Sequence, residues 1–129
     1  MNIPEGVIIR ESPYNVEETT KRLVYFLQMR GIKLYARIDQ QAELRKNGLE
    51  ISPLEFIMFG NPKVGGPVML ENALAALDLP LKIIVYEESA GETRIAYNDF
   101  RYFGKRYSLN DKLIDPLDLD LLVTNALMS

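Results

Sequence analysis

The fold is decided by one stretch of the sequence, FIMFGNPKVGGPVML at residues 56–70. An apolar run reaches Phe59, breaks at Gly60 and crosses a loop rich in glycine and proline. A helix is predicted to begin near Pro67, because proline is favoured in the first helical turn. The run before the break contains no polar residue, which is typical of a buried strand. The other elements are expected to pack around this strand-to-helix junction.

The chain before the junction predicts two strands and two helices. A strand is expected over residues 6–12, followed by a helix that is capped by Asn15, runs to about Arg30 and stops at Gly31. Alternating apolar and polar residues predict a second strand over residues 32–38. A short polar helix is expected to follow over residues 39–47.

The chain after the junction predicts a helix, a hairpin and a last helix. An inner row of Leu70, Leu74 and Leu77 has helical spacing. Strands are expected over residues 81–86 and 93–97, and a helix over residues 118–127, whereas residues 98–110 receive no assignment. The order β-α-β-(α)-β-α-β-β-α predicts an α+β fold in a single domain, 1–129, with an antiparallel or mixed sheet and helices on one face.

Composition excludes several kinds of chemistry. The 129 residues include no cysteine and no histidine, so thiolate nucleophiles, disulfides and the commonest metal ligand and general base are missing. The formal net charge of −3 disfavours binding to nucleic acids or anionic membranes. No signal peptide and no apolar run of about 20 residues is visible, so a soluble, cytoplasmic protein without a membrane partner is expected. No metal, cofactor or catalytic residue is predicted.

Several segments carry a family resemblance. They are ARID at 36–39, GLEISP at 48–53, FGNPKVG at 59–65, AALDLPLKIIV at 75–85, Gly91, and YND at 97–99. The sequence resembles the domain-of-unknown-function family numbered 302 over roughly residues 7 to 127. This resemblance implies a compact α+β domain of the TATA-box-binding-protein-like type, often homodimeric, with no established activity. Gln40 replaces the usual histidine of the family, and Gly66 replaces its usual threonine.

A small polar or anionic ligand is one candidate for the junction. Backbone N–H groups of the glycine-rich loop could form an anion-binding nest at the start of a helix, with Lys63 adding positive charge. The alternatives are a structural turn at this loop and a helix cap at Asp39. The P-loop pattern fails, because Pro67 follows the last glycine. The candidate ligand residues are Asp39, Gln40, Gly60, Asn61, Lys63, Gly65, Gly66 and Tyr97.

An aromatic and basic segment is a second candidate. It predicts a dimer contact or a packed surface flap, because Tyr and Arg are enriched at interfaces. A ligand-pocket wall and stacking on nucleic-acid bases are the alternatives, although nucleic acid is disfavoured by the charge. The candidate interface residues are Phe100, Arg101, Tyr102, Phe103 and Tyr107.

Three function hypotheses remain open from the sequence. The favoured one is a ligand-binding or interaction module that acts as a homodimer. An enzyme is disfavoured; it would be metal-independent and would use Asp, Lys and Tyr side chains for acid–base chemistry. A nucleic-acid-binding flap is the third.

Overall fold

The structure, a computed structural model, describes residues 2–128. Five strands form one antiparallel sheet in the order β1-β5-β4-β3-β2. The strands are β1 (Val7–Ser12), β2 (Lys33–Asp39), β3 (Leu54–Gly60), β4 (Leu81–Ser89) and β5 (Glu92–Asn98). The helices are α1 (Val16–Met29), α2 (Gln40–Arg45), α3 (Pro62–Glu71), α4 (Phe100–Arg106), α5 (Asp111–Ile114) and α6 (Asp120–Met128), with 3-10 helices at Ala73–Asp78 and Asp115–Leu117. The expected α+β fold is confirmed.

Helix α1 begins and ends where the sequence predicts. The side chain of Asn15 accepts a hydrogen bond from the Glu18 N–H, which satisfies one of the free donors of the first turn. Gly31 follows the helix with φ at +69°, a conformation that glycine adopts without a steric penalty. Leu23 and Leu27 are fully buried, so the apolar stripe of α1 faces the sheet.

The main core lies between one face of the sheet and the helices α1 and α6. Ile57, Ile83 and Tyr97 are paired across β3, β4 and β5, and they point to this face together with Ile95. Val123 of α6 packs against the same cluster. Alternate residues of each strand therefore point away from both helices.

A second, smaller core fills the space between α3 and the segment that the sequence left unassigned. Phe103 and Tyr107 belong to α4 and its C-terminal cap, and both are buried. They pack with Val68 of α3, with Ala75 and with Ile114 of α5. This cluster fixes α3 beside the ends of β3 and β4.

The predicted start of α3 near Pro67 is wrong by more than one helical turn. The helix begins at Pro62, and Asn61 caps it by accepting a hydrogen bond from the Lys63 N–H at 3.0 Å. Gly65 and Gly66 therefore lie inside the helix instead of in a loop. Proline is favoured at the first helical position because an N–H there would have no partner within the helix.

The predicted inner row of leucines is also wrong. Helix α3 ends at Glu71, the backbone extends at Asn72 (φ −151°), and a 3-10 helix follows with a tighter turn. Leucines spaced for one continuous α-helix consequently no longer share a buried face. Leu70, Leu74 and Leu77 are 90%, 66% and 73% exposed.

Candidate ligand pocket

A cavity of about 490 Å³ opens where β3 ends and α3 begins. Its apolar walls come from β2, β3, α3, the segment before β4 and the second 3-10 helix. The larger side chains of these walls include Tyr35, Phe59, Val64, Met69, Leu79 and Leu117. The volume lies within the range of about 300–1,000 Å³ that is typical of small-molecule sites.

The pocket brings together the two most specific motifs of the sequence. Phe59 of β3 is paired with Leu81 of β4, so the Phe-Gly-Asn-Pro segment lies beside the Leu-Pro-Leu segment. Gly60 places no side chain at the mouth, and a Cβ there would lie 3.4 Å from the Tyr35 ring. The pocket floor is thus built by adjacent strand ends.

The backbone donors at the start of α3, where an anion-binding nest is expected from the sequence, already have partners within the chain. Pro62 lacks an N–H, and the Lys63 N–H donates to the Asn61 side chain. The Val64 and Gly65 N–H groups both donate to the Asn61 carbonyl at 2.9 Å. Gly65 and Gly66 are part of α3, and the N–H groups of its first turn are therefore not available to a phosphate.

Polar groups of the pocket are few and lie on its rim. Arg30, which follows the last turn of α1, and Asn61 are polar members of the lining. Arg30 is exposed, so its charge does not carry the desolvation cost of a buried ion. The pocket suits a molecule that is apolar over most of its surface and polar at one end.

Three of the eight predicted ligand residues line the pocket: Gly60, Asn61 and Gly65. Lys63 and Gly66 are neighbours in α3 but are not among the lining residues. Their places on the helix point them elsewhere, and a Cβ at Gly66 would meet nothing within 4 Å.

Asp39 and Gln40 lie at the opposite end of the sheet. Lys33 is paired with Gly60, whereas Asp39 is paired with Glu55, which places the two ends of β2 roughly 20 Å apart at ~3.3 Å per residue. The Asp39 side chain accepts a hydrogen bond from the Ala42 N–H at 2.9 Å. The helix-cap interpretation of Asp39 is therefore confirmed, and it does not share a site with Gly60.

Tyr97 is a core residue. It lies on β5, two strands away from β3, and its hydroxyl donates to Asp120 of α6, which also binds Arg10 at 3.1 Å. Burial raises the pKa of Tyr97 well above its ordinary value, and the hydrogen bond to Asp120 adds to the effect. Tyr97 is thus a neutral donor at physiological pH and does not reach the pocket.

The aromatic and basic segment is packed against the rest of the chain. Phe103 and Tyr107 are buried, and the Tyr107 hydroxyl donates to Asp78 at 2.5 Å. Arg101 forms an ion pair with Asp99 at 2.9 Å. Of the predicted interface residues, only Phe100, Arg101 and Tyr102 keep exposed area, so the packed-flap interpretation describes this segment best.

No cluster of acidic residues that could hold a metal occurs among residues 2–128. No helix in this described range is long and apolar enough to cross a membrane.

Comparison with known proteins assigns the family. The model of the domain of unknown function DUF302 matches residues 8–119. The chain belongs to the DUF302 family. A crystal structure of an uncharacterized conserved DUF302 protein from Bacillus stearothermophilus has the same fold, with a TM-score of 0.79 and 22% identity over 96% of this chain and 97% of that one.

Curated relatives of this DUF302 protein are longer. It is 32% identical over 107 residues to the fluoride-specific ion channel FluC 1 of Brucella suis biovar 1 (strain 1330), and equally so to FluC 1 of Brucella abortus biovar 1 (strain 9-941). The match covers 83% of this chain but only 42% and 40% of those proteins. The chain spans less than half the length of these relatives.

Sequence reasoning missed the more distant walls of the pocket. Arg30, Tyr35 and Leu117 come from three elements far apart in the chain, and no local pattern connects them. One signal was present for the fourth wall, because the Leu79-Pro80 segment is part of the family motif. The sequence does not show, however, that this segment lies beside Phe59, because that depends on the pairing of β4 with β3.

Proposed function

We propose that this DUF302 protein is a ligand-binding module that acts as a homodimer, and that its ligand is a small organic acid with an apolar body. The cavity between β3, α3 and the 79–81 segment supports the ligand-binding part of this proposal, and the homodimer is what the family resemblance implies. The cavity is large enough for such a molecule, and its lining combines mainly apolar side chains with a few polar groups, as ligand sites commonly do.

The ligand class follows from the chemistry of the lining. Each Å² of apolar surface removed from water contributes about 25 cal/mol, so walls such as Phe59, Leu79 and Leu117 favour an aliphatic or aromatic body. Arg30 supplies the positive charge at the rim, and guanidinium groups bind carboxylates through paired hydrogen bonds. The polar or anionic ligand expected from the sequence is thereby narrowed to an amphipathic acid.

Other activities have less support. An acid–base enzyme would use Asp, Lys and Tyr side chains that meet at one site, yet among the candidate residues Asp39 caps α2 and Tyr97 binds Asp120. Ring stacking on nucleic acid would draw on the four aromatic rings of residues 100–107, and two of them, Phe103 and Tyr107, are buried. The cytoplasmic location expected from the composition is part of the proposal and can be tested by cell fractionation.

A thermal-shift series tests the ligand class. Straight-chain carboxylates from acetate to decanoate are compared with the amides of the same chains. Ligand at 100 times its Kd stabilises the folded protein by about 2.7 kcal/mol. We expect stabilisation to grow with chain length and to be weaker for the amides. Arg30→Gln should remove the preference for the acid while leaving the effect of chain length.

Inorganic anions provide the control in the same series. Sodium fluoride is included with sodium chloride because the curated relatives are named as fluoride-specific channels. A response to fluoride without a response to any carboxylate would contradict the proposed ligand class. Equal shifts for acids and amides in the native protein would contradict the role of Arg30.

A further inference from the structure

A row of apolar side chains crosses the sheet on the face opposite α1 and α6. Ile9 is paired with Ala96, Ala96 with Ile84, Ile84 with Phe56, and Phe56 with Ile38. The row includes one residue from every strand. Val7, Ala36, Met58 and Tyr86 flank it on the same face by strand alternation.

This face is left open in the described part of the chain. Ile84, Phe56 and Ile38 are partly exposed, and none of them belongs to the core under α1 and α6 or to the core around α4. A sheet face that helices cover normally buries such residues completely, whereas four of the five side chains of this row are only partly buried and Ala96 alone is buried. A partly exposed apolar row that crosses all five strands indicates an interaction surface.

The two ends of the open face carry opposite charge. At one end the Arg94 guanidinium lies within 3.6 Å of three carboxylates, from Glu11, Glu88 and Glu92, which leaves a net charge of −2. At the other end Lys33 and Lys82 contribute +2, and the Lys82 ammonium lies 4.2 Å from the centre of the Phe56 ring.

We propose that a second copy of this chain covers the open face, with the two-fold axis parallel to the apolar row. This orientation reverses the strand direction between the two sheets. The Lys82 end of each copy then lies over the glutamate end of the other, and the apolar rows meet in the middle. An axis parallel to the strands would place like charges together, which is destabilising. The inference rests on the homodimer of the proposed function and adds its surface and orientation.

The size of the face is adequate for a dimer. Five strands spaced ~4.8 Å apart and seven residues long at ~3.3 Å per residue outline roughly 550 Å². The side chains protrude from the sheet, so the accessible area of this face is larger than the flat outline. This brings the face near the ~800 Å² per partner of stable interfaces. A self-complementary patch is also what a two-fold dimer requires.

Charge exchange tests the orientation. One variant carries Lys33→Glu and Lys82→Glu, which makes both ends negative. The other carries Glu11→Lys and Glu88→Lys, which makes both ends positive. The native chain is expected to be a dimer by analytical ultracentrifugation, each variant alone a monomer, and their equimolar mixture a dimer again. A monomeric native chain, or variants that stay dimeric alone, would overturn the proposal.

A lysine placed in the apolar row tests whether this row forms the interface, and a lysine placed on α3 is the matched control. Ile84→Lys should raise the dimer Kd by at least about tenfold. Leu70→Lys, at a leucine that is 90% exposed on α3, should leave the Kd unchanged. The opposite pattern would assign the interface to the leucines of α3 and contradict this inference. The thermal response to carboxylates is measured on the same variants, so loss of the dimer and failure of ligand binding are told apart.

Discussion

At the scale of single residues, Tyr97 connects the sheet to α6 and makes stability depend on alkaline pH. Its pKa is raised in the folded chain, first by burial and then by the hydrogen bond to Asp120. Unfolded tyrosine loses its proton near pH 10. The folded state therefore binds more protons above that pH, and its free energy of unfolding falls as pH rises.

The variant Tyr97→Phe tests this linkage. It removes the hydroxyl donor, so we expect a loss of about 1 kcal/mol at neutral pH. Between pH 9 and 11 the variant should lose less stability than the native chain, since one titrating group is gone. Urea unfolding across this range measures both effects, and Tyr25→Phe on the exposed face of α1 is the control. Parallel pH profiles for the native chain and Tyr97→Phe would contradict the account.

Alanine substitutions at Gly6 and Gly31 distinguish the cost of backbone strain from the cost of a steric clash. Both have positive φ, at 81° and 69°. A Cβ at Gly6 would lie 2.3 Å from the Tyr102 ring, whereas a Cβ at Gly31 would meet nothing within 4 Å. Gly31→Ala should cost about 1 kcal/mol from backbone strain. Gly6→Ala should cost a further 1–3 kcal/mol because the ring must move. Equal losses in thermal denaturation would show that Tyr102 is not packed there.

At the scale of elements, Asn72 joins α3 to α4. Its side chain accepts a hydrogen bond from the Leu74 N–H at 3.1 Å and donates to the Tyr107 carbonyl at 2.9 Å. Asn72→Ala removes a cap and leaves a partly buried carbonyl unpaired, so we expect a loss of about 1–3 kcal/mol. Asn47→Ala, at an exposed residue with one bond to the Glu43 carbonyl, should cost far less. Similar losses for both variants in urea unfolding would contradict this role.

The elements show where local sequence signals suffice. Helix α1 begins after Asn15, which caps its first turn, and ends before Gly31, which has a positive φ. Both signals are local, so the sequence predicts both ends of the helix. At α3 the sequence predicts a start near Pro67, because the glycine-rich residues before it are typical of a loop, whereas the helix begins at Pro62. The earlier start is stabilised by the hydrogen bond that the Lys63 N–H donates to the Asn61 side chain, and this bond depends on backbone geometry that residue identity does not specify.

At the scale of the whole molecule, the sequence predicts the α+β order but not the use of each surface. The predicted interface residues Phe103 and Tyr107 are buried because α4 folds onto α3. Alternation predicts that β3 and β4 have two faces, yet which face the helices cover depends on the path of α1 and α6. The sequence does not predict the pocket either, because Arg30, Phe59 and Leu117 lie far apart in the chain and meet only after folding.

The most direct test of the pocket compares two adjacent glycines of α3. Gly65 lines the cavity, and its Cβ would make ordinary contacts of 3.8 and 3.9 Å with Met69 and Leu79. Gly66 lies outside the lining and has open space around it. Both substitutions to leucine gain similar helix propensity, because each replaces a helical glycine.

Titration calorimetry with octanoate measures the Kd of the native chain, Gly65→Leu and Gly66→Leu. We expect Gly66→Leu to bind octanoate as the native chain does, whereas the side chain of Gly65→Leu should fill the cavity and abolish binding. Unchanged binding in Gly65→Leu, or loss of binding in Gly66→Leu alone, would contradict the assignment of this cavity as the ligand site.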